Sequence, residues 1–191
     1  DISGNRLAVV GPDWYQINNI DVVFETEVSS VDVYSKRVMT SKGAYDYDKL
    51  IYALGARCFI APIQGADAPH VVSVRNIADT EKAKSLLKPG ANVVCIGGGV
   101  MGLEAAWELK QGGYSVTVLE GAPKQLDDKA SAMLEGIVTG CGIDVVTGAG
   151  ISQITASDVK LNDGRSFAAD LVIMSTGMRP NTAIAEAAGI K

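Results

Sequence analysis

Apolar and polar positions change period several times along the chain, and each change predicts an element. Val93–Ile96 is an unbroken apolar run, as expected of a short strand buried on both faces. Leu103–Gln111 carries good helix formers and is stopped by Gly112 and Gly113. Val116–Leu119 is a second buried strand, ending on the acid Glu120. Upstream, Asp1–Val10 has a little strand character, Gly11-Pro12-Asp13 reads as a turn and Trp14–Asn18 as a helical turn. Asp21–Phe24 reads as a short strand, and Glu27–Tyr34 with Lys36–Thr40 alternates like a half-exposed hairpin. Leu50–Leu54 predicts another buried strand and Val71–Val74 a short one. Asp79 can cap a helix that runs to Lys88, before Pro89-Gly90. Downstream come a loop at Pro123–Asp128, a helix at Ala130–Thr139 and a strand at Ile143–Val146. A meander of Ile151–Thr155 and Val159–Leu161 follows, then a buried strand at Asp170–Ser175. The pattern predicts an α/β fold, a Rossmann-like parallel sheet with an antiparallel β-meander.

Two parts of this pattern are alike. Asn19–Val23 echoes Gly142–Val146, and Val28 and Val31 echo Ile151 and Ile154. Asp48–Ile51 echoes Asp170–Ile173, and Leu54-Gly55 echoes Thr176-Gly177. The offset stays at 122 to 123 residues (177 − 55 and 143 − 20), which suggests two copies of one nucleotide-binding design. A glycine loop belonging to the first copy would fall before residue 1, so the chain reads as a fragment of a longer protein.

The candidate chemistry lies between the strands at Val93 and Val116. Gly97, Gly99 and Gly102, with Gly98, Val100 and Met101 between them, fit G-x-G-x-x-G. The first glycine permits the tight strand-to-helix turn, the second lets a pyrophosphate approach the backbone, and the third lets helix lie close on sheet. The helix start then offers N–H groups and a positive dipole end to an anion. Glu120, at the tip of the neighbouring strand, can accept hydrogen bonds from ribose hydroxyls and repels a 2′-phosphate, which favours NAD over NADP. The motif alone does not separate NAD from the ADP half of FAD, and S-adenosylmethionine enzymes use a similar turn and acid.

Composition narrows the alternatives. With 191 residues, 47% of them hydrophobic, the chain can bury one large core or two small ones. A net charge of −5 argues against nucleic acid as a main partner. No apolar run is long enough to span a bilayer, so no membrane partner is expected and a cytoplasmic protein is the default. Cys58, Cys95 and Cys141 lack metal or redox spacing, and His70 is the single histidine; no metal site is expected.

These residues resemble the two-dinucleotide-binding-domain flavoproteins, the pyridine nucleotide–disulfide oxidoreductase superfamily, over essentially the whole chain. The likeness is carried by the Gly97–Glu104 loop with Glu120, and by two domain-closing motifs, Ala53-Leu54-Gly55 and Ser175-Thr176-Gly177 continuing to Pro180-Asn181. It points towards the branch of NADH oxidases, rubredoxin reductases and nitrite reductase large subunits. The resemblance implies that residues 1–78 are the C-terminal part of a truncated FAD-binding domain. Residues 79–191 would be an NAD(H)-binding domain whose last residues return towards the first. It implies that Gly97 to Gly102, Glu120, Gly177 and Met178 hold NAD(H), and that Glu104 sits near the flavin and nicotinamide rings as the catalytic candidate. Val28, Ala53, Leu54, Gly55 and Arg57 would lie along FAD in the intact protein. Leu54 stands where the family usually has Thr, which removes a hydroxyl from that contact.

The implied function is an FAD-dependent NADH oxidoreductase that passes a hydride from NADH to flavin and electrons on to an acceptor, a small molecule or a redox protein. The resemblance leaves a dimer open for the intact protein, with the usual interface outside this chain. The chain by itself is expected to bind NAD(H), to retain little or no FAD and not to turn over. The alternative from the same residues is a non-catalytic nucleotide-sensing or interaction module.

Overall fold

The computed structural model describes residues 8–11, 13–122 and 126–190. The first seven residues of the expected Asp1–Val10 segment, Pro12 of the first turn, and Pro123 to Gln125 of the expected loop lie outside the described residues. The chain forms two compact units. The larger runs from Arg57 to Arg179, and the smaller joins the residues up to Ala56 with those from Pro180 onward. The expected division at residue 78 separates the chain by cofactor, whereas these units are separated by packing.

The larger unit is built on a five-stranded parallel sheet. Its strands are β5 (Val71–Val72), β6 (Asn92–Ile96), β7 (Ser115–Glu120), β8 (Asp144–Thr147) and β12 (Leu171–Met174). They lie in the order β5-β12-β6-β7-β8, and each neighbouring pair is parallel. Successive side chains of a strand point to opposite faces, so the apolar runs feed two cores. Val94, Ile96, Leu119, Val172 and Met174 pack one face against Ile154, Val159 and Leu161. Those three come from the antiparallel meander β9 (Ile151–Ile154), β10 (Asp158–Leu161) and β11 (Ser166–Ala168). Val93, Cys95, Val116, Val118 and Ile173 pack the other face against helices. The helices there are α2 (Ile77–Leu86), α3 (Val100–Gln111) and α4 (Asp128–Gly140).

The helix ends follow from side-chain chemistry. Asn76, not Asp79, is the N-cap of α2: its side chain accepts from the Asp79 N–H, and the Asp79 carboxylate accepts from the Asn76 N–H at 3.1 Å. Asp79 therefore closes a capping box from the third helical position. Asp127 caps α4 by accepting from the Ala130 N–H at 2.8 Å.

The smaller unit contains α1 (Asp13–Ile17), the antiparallel strands β1 (Val28–Asp32), β2 (Arg37–Thr40) and β3 (Gly43–Asp46), and α5 (Ala183–Ala187). Two expected strands, Asp21–Phe24 and Leu50–Leu54, are irregular instead. A strand needs a neighbouring strand for its N–H and C=O groups, and no strand among the described residues pairs with either segment. Ile51, expected in a buried strand, is 89% exposed. The internal repeat survives where pairing exists. β1-β2-β3 and β9-β10-β11 are both three-stranded meanders, and Val31 and Ile154, equivalent in the repeat, are both buried. The strands β4 (Ala56–Cys58) and β13 (Met178–Pro180) pair as a two-stranded sheet where the chain passes between the units.

Candidate functional site

The site begins where β6 ends. Among the parallel strands β6 is flanked by β7, which follows it, and by β12, which comes much later. Connections leave in opposite directions there, and the C-terminal ends of such strands open a crevice. The N–H of Gly97 donates to Leu119 O at 2.8 Å and the N–H of Ser175 donates to Ile96 O at 2.8 Å, so three strand ends are laced together beneath the loop.

The three motif glycines are required for different reasons. Gly97 has φ +105°, and a Cβ there would overlap the carbonyl of Ser175. A Cβ on Gly102 would overlap the carbonyl of Gly97. Both are fixed by the protein's own packing. Gly99 is different: its φ is −71° and nothing lies within 4 Å of an added Cβ. The packing of the fold does not need a glycine there. Gly99 is also the N-cap of α3, and among the described residues no side chain caps that end. The first N–H groups of a helix lack intrahelical partners, so this end offers donors and a positive dipole end to open space.

Beside the loop is a cavity of about 640 Å³. Gly97, Gly98 and Gly99 line it together with Glu120, Thr176 and Gly177. The Glu120 carboxylate turns into the hollow: Oε2 accepts from the Gly98 N–H at 2.6 Å and Oε1 from the Ala122 N–H at 2.6 Å. Each oxygen keeps a lone pair for a further donor, such as a sugar hydroxyl. A cradle of bare backbone, an uncapped helix start and a carboxylate at its rim fit the diphosphate and ribose of a dinucleotide.

The remaining expected residues are placed as follows. Val100 lines the cavity; Met101, Glu104 and Met178 do not, and all three are exposed. Gly177 has φ +107°, and the Thr176 hydroxyl beside it donates to Phe59 O at 2.6 Å. Val28 starts β1, partly buried. Ala53, Leu54 and Gly55 form an exposed irregular segment, with Gly55 at φ +65°. Its carbonyls are held by Asn181, whose side-chain amide donates to Leu54 O at 2.9 Å and whose N–H donates to Gly55 O at 3.0 Å. Arg57 is exposed in β4. These FAD candidates do not line this cavity. No group of His, Cys, Asp and Glu that could hold a metal occurs among the described residues.

The sequence reading missed the far wall. Ser131, Leu134, Glu135 and Val138 of α4 line the cavity, as do Ala61, Ile63 and Ala149. The signal for the helical part was present: Ser131 with Glu135, and Leu134 with Val138, are spaced i, i+4 and share a helix face. Nothing local marks Ala61 or Ala149, which arrive from distant parts of the chain.

Comparison with known proteins identifies the family. A family model described as pyridine nucleotide-disulphide oxidoreductase matches residues 12–191. The chain is 37% identical over 187 residues to nitrite reductase (NAD(P)H) of Bacillus subtilis (strain 168), a match covering 93% of this chain and 23% of that protein. It is 29% identical over 188 residues to the benzene 1,2-dioxygenase system ferredoxin–NAD(+) reductase subunit of Pseudomonas putida, covering 94% of this chain and 46% of that one. Among solved structures, the ferredoxin reductase for the CYP199A2 system from Rhodopseudomonas palustris superposes with a TM-score of 0.90 at 28% identity, covering 98% of this chain and 48% of that chain. The chain thus spans between about a quarter and a half of these relatives.

Proposed function

The chain belongs to the pyridine nucleotide-disulphide oxidoreductase family, and from that premise we propose that it supplies the NADH-binding part of a flavoprotein reductase. In this reading the larger unit holds NAD(H), and the smaller is the remainder of an FAD-binding domain. The observation that carries the reading is Gly99. It is a glycine the fold does not require, at an uncapped helix start, within reach of a carboxylate anchored on the same loop.

The roles divide by position. Gly99 to Gly102, at the start of the helix, receive the diphosphate with backbone N–H groups, while the Gly98 N–H holds Glu120. Glu120 accepts from the ribose hydroxyls and disfavours a 2′-phosphate by charge. Thr176 and Gly177 bound the cavity at the end of β12, where the nicotinamide half would lie, with Met178 next in the chain. Glu104 is proposed to act near the nicotinamide and flavin rings in the intact protein, and Val28, Ala53, Leu54, Gly55 and Arg57 to lie along FAD. FAD would supply the redox chemistry there, hydride acceptance from NADH and electron transfer to a small-molecule or protein acceptor. The chain's own contribution is position and electrostatics.

Calorimetric titration of the chain with NADH and NADPH tests this. NADH should bind, and NADPH at least about tenfold more weakly, a difference of roughly 1.4 kcal/mol. Glu120→Ala should weaken NADH and narrow the gap. A chain that ignores both nucleotides, or prefers NADPH, contradicts the reading.

A further inference from the structure

Strand register sets two arginines against each other. The Phe59 N–H donates to Gly177 O at 2.9 Å and the Asn181 N–H to Gly55 O at 3.0 Å. These bonds make β4 and β13 antiparallel and place Arg57, midway between Gly55 and Phe59, opposite Arg179, midway between Asn181 and Gly177. Residues directly opposite each other project from the same face, and like charges there destabilise the pair. Both arginines belong to the larger unit and both are exposed. Neither pairs with a carboxylate among the described residues. The contrast is within the same chain: Arg37 stands opposite Asp46 in β2 and β3, and those two form an ion pair at 2.6 Å.

Arg179 is not loose. Its guanidinium carbon lies 4.3 Å from the centroid of the Phe59 ring. Phe59 is its diagonal neighbour across the ribbon, and the Phe59 carbonyl is held in turn by the Thr176 hydroxyl. A guanidinium attracted to a ring in this way has five N–H donors, not all of which the ring can engage. One of them, on Nη1, reaches Met178 O at 3.3 Å. Two guanidiniums with no carboxylate partner among the described residues, one of them seated over an aromatic ring, suit an oxyanion that bridges them.

We propose that Arg57 and Arg179 form a binding site for a phosphate-class anion, with Phe59 orienting Arg179. Neither arginine lines the NAD(H) cavity, so the site is separate from it. Arg57 already stands in the proposed FAD contact; the inference builds on that reading and adds Arg179 and Phe59. The anion is either the diphosphate of a cofactor or free phosphate.

The test is calorimetric titration of the full chain with inorganic pyrophosphate at low salt, in the presence of saturating NADH. Wild-type chain should bind. Arg57→Lys and Arg179→Lys keep the net charge but lose the planar fork, and each should weaken binding about tenfold. Phe59→Leu changes no charge and should weaken it severalfold. Thermal melts of each variant check that the fold is intact. Wild-type chain that gives no pyrophosphate binding overturns the site; so do variants that bind as wild type does, since diffuse positive charge would then suffice. FAD that displaces pyrophosphate assigns the anion to the cofactor, and FAD that leaves it in place assigns it to free phosphate; both support the site. Binding of NADH without pyrophosphate sinks this inference alone. Binding of pyrophosphate without NADH sinks the NAD(H) reading and leaves the arginine pair standing.

Discussion

At the scale of single residues, one loop holds glycines with opposite dependencies. Gly102→Ala drives a methyl into the carbonyl of Gly97, and overpacking of this kind costs about 1–3 kcal/mol. Gly99→Ala places its methyl in open space, so stability should stay within about 0.5 kcal/mol of wild type. Its effect should appear in NADH titration, where the added Cβ meets the diphosphate and weakens binding by about tenfold or more. Melting curves and titrations of the two variants together separate a packing glycine from a ligand glycine. If Gly99→Ala binds NADH as wild type does, the diphosphate does not lie there. The cysteines make a second contrast. Cys95 is fully buried, and burial pushes its thiol up to about 12. The thiolate is the reactive form, so at pH 8 Cys95 should resist alkylation in the native chain and react only after unfolding. Cys141 is exposed and should be labelled first, as peptide mass mapping would show.

At the scale of elements, the chain was legible wherever a local pattern answers to a local cause. The strand, glycine turn, helix and second strand from Asn92 to Glu120 appear in the expected order, because period, propensity and caps all agree there. The helix before them shows how a cap can be misassigned. Asp79 was visible as a capping type, but the reciprocal bond from Asn76 places it three residues into the helix. Asn76→Ala should remove one half of this box and cost about 1 kcal/mol, read as a lower melting temperature with unchanged NADH affinity. A loss of affinity without a loss of stability would mean that α2 serves the site directly. Asp21–Phe24 and Leu50–Leu54 failed for a matching reason. Their apolar sequence states a preference for burial, but a strand is made by its neighbour, and the described residues provide none.

At the scale of the whole molecule, the chain divides at Ala56–Arg57 and Arg179–Pro180. No single stretch announces that division, since the smaller unit is assembled from both ends of the chain. It carries a prediction. NADH should slow amide exchange around the Gly97 loop, the end of β7 and the start of α4. The amides of β1, β2 and β3 should be unchanged, because among the described residues the cavity is lined by the larger unit alone. Equal protection throughout both units would show that the nucleotide acts on the fold as one body. No helix among the described residues is long and apolar enough to cross a membrane.

By itself the sequence determined the α/β class, the order of the nucleotide-binding unit, the acid at its rim and the repeat. Each of these is written in spacing, and spacing acts through bonds and side chains only a few residues apart. The tertiary structure alone decided that Gly97 and Gly102 serve packing while Gly99 faces open space. It also decided that Glu120 turns back onto Gly98, that α4 and Ala149 wall the cavity, and that Arg57 stands against Arg179. Those facts depend on which distant backbones come to lie side by side, and a local pattern holds no record of its neighbours in space.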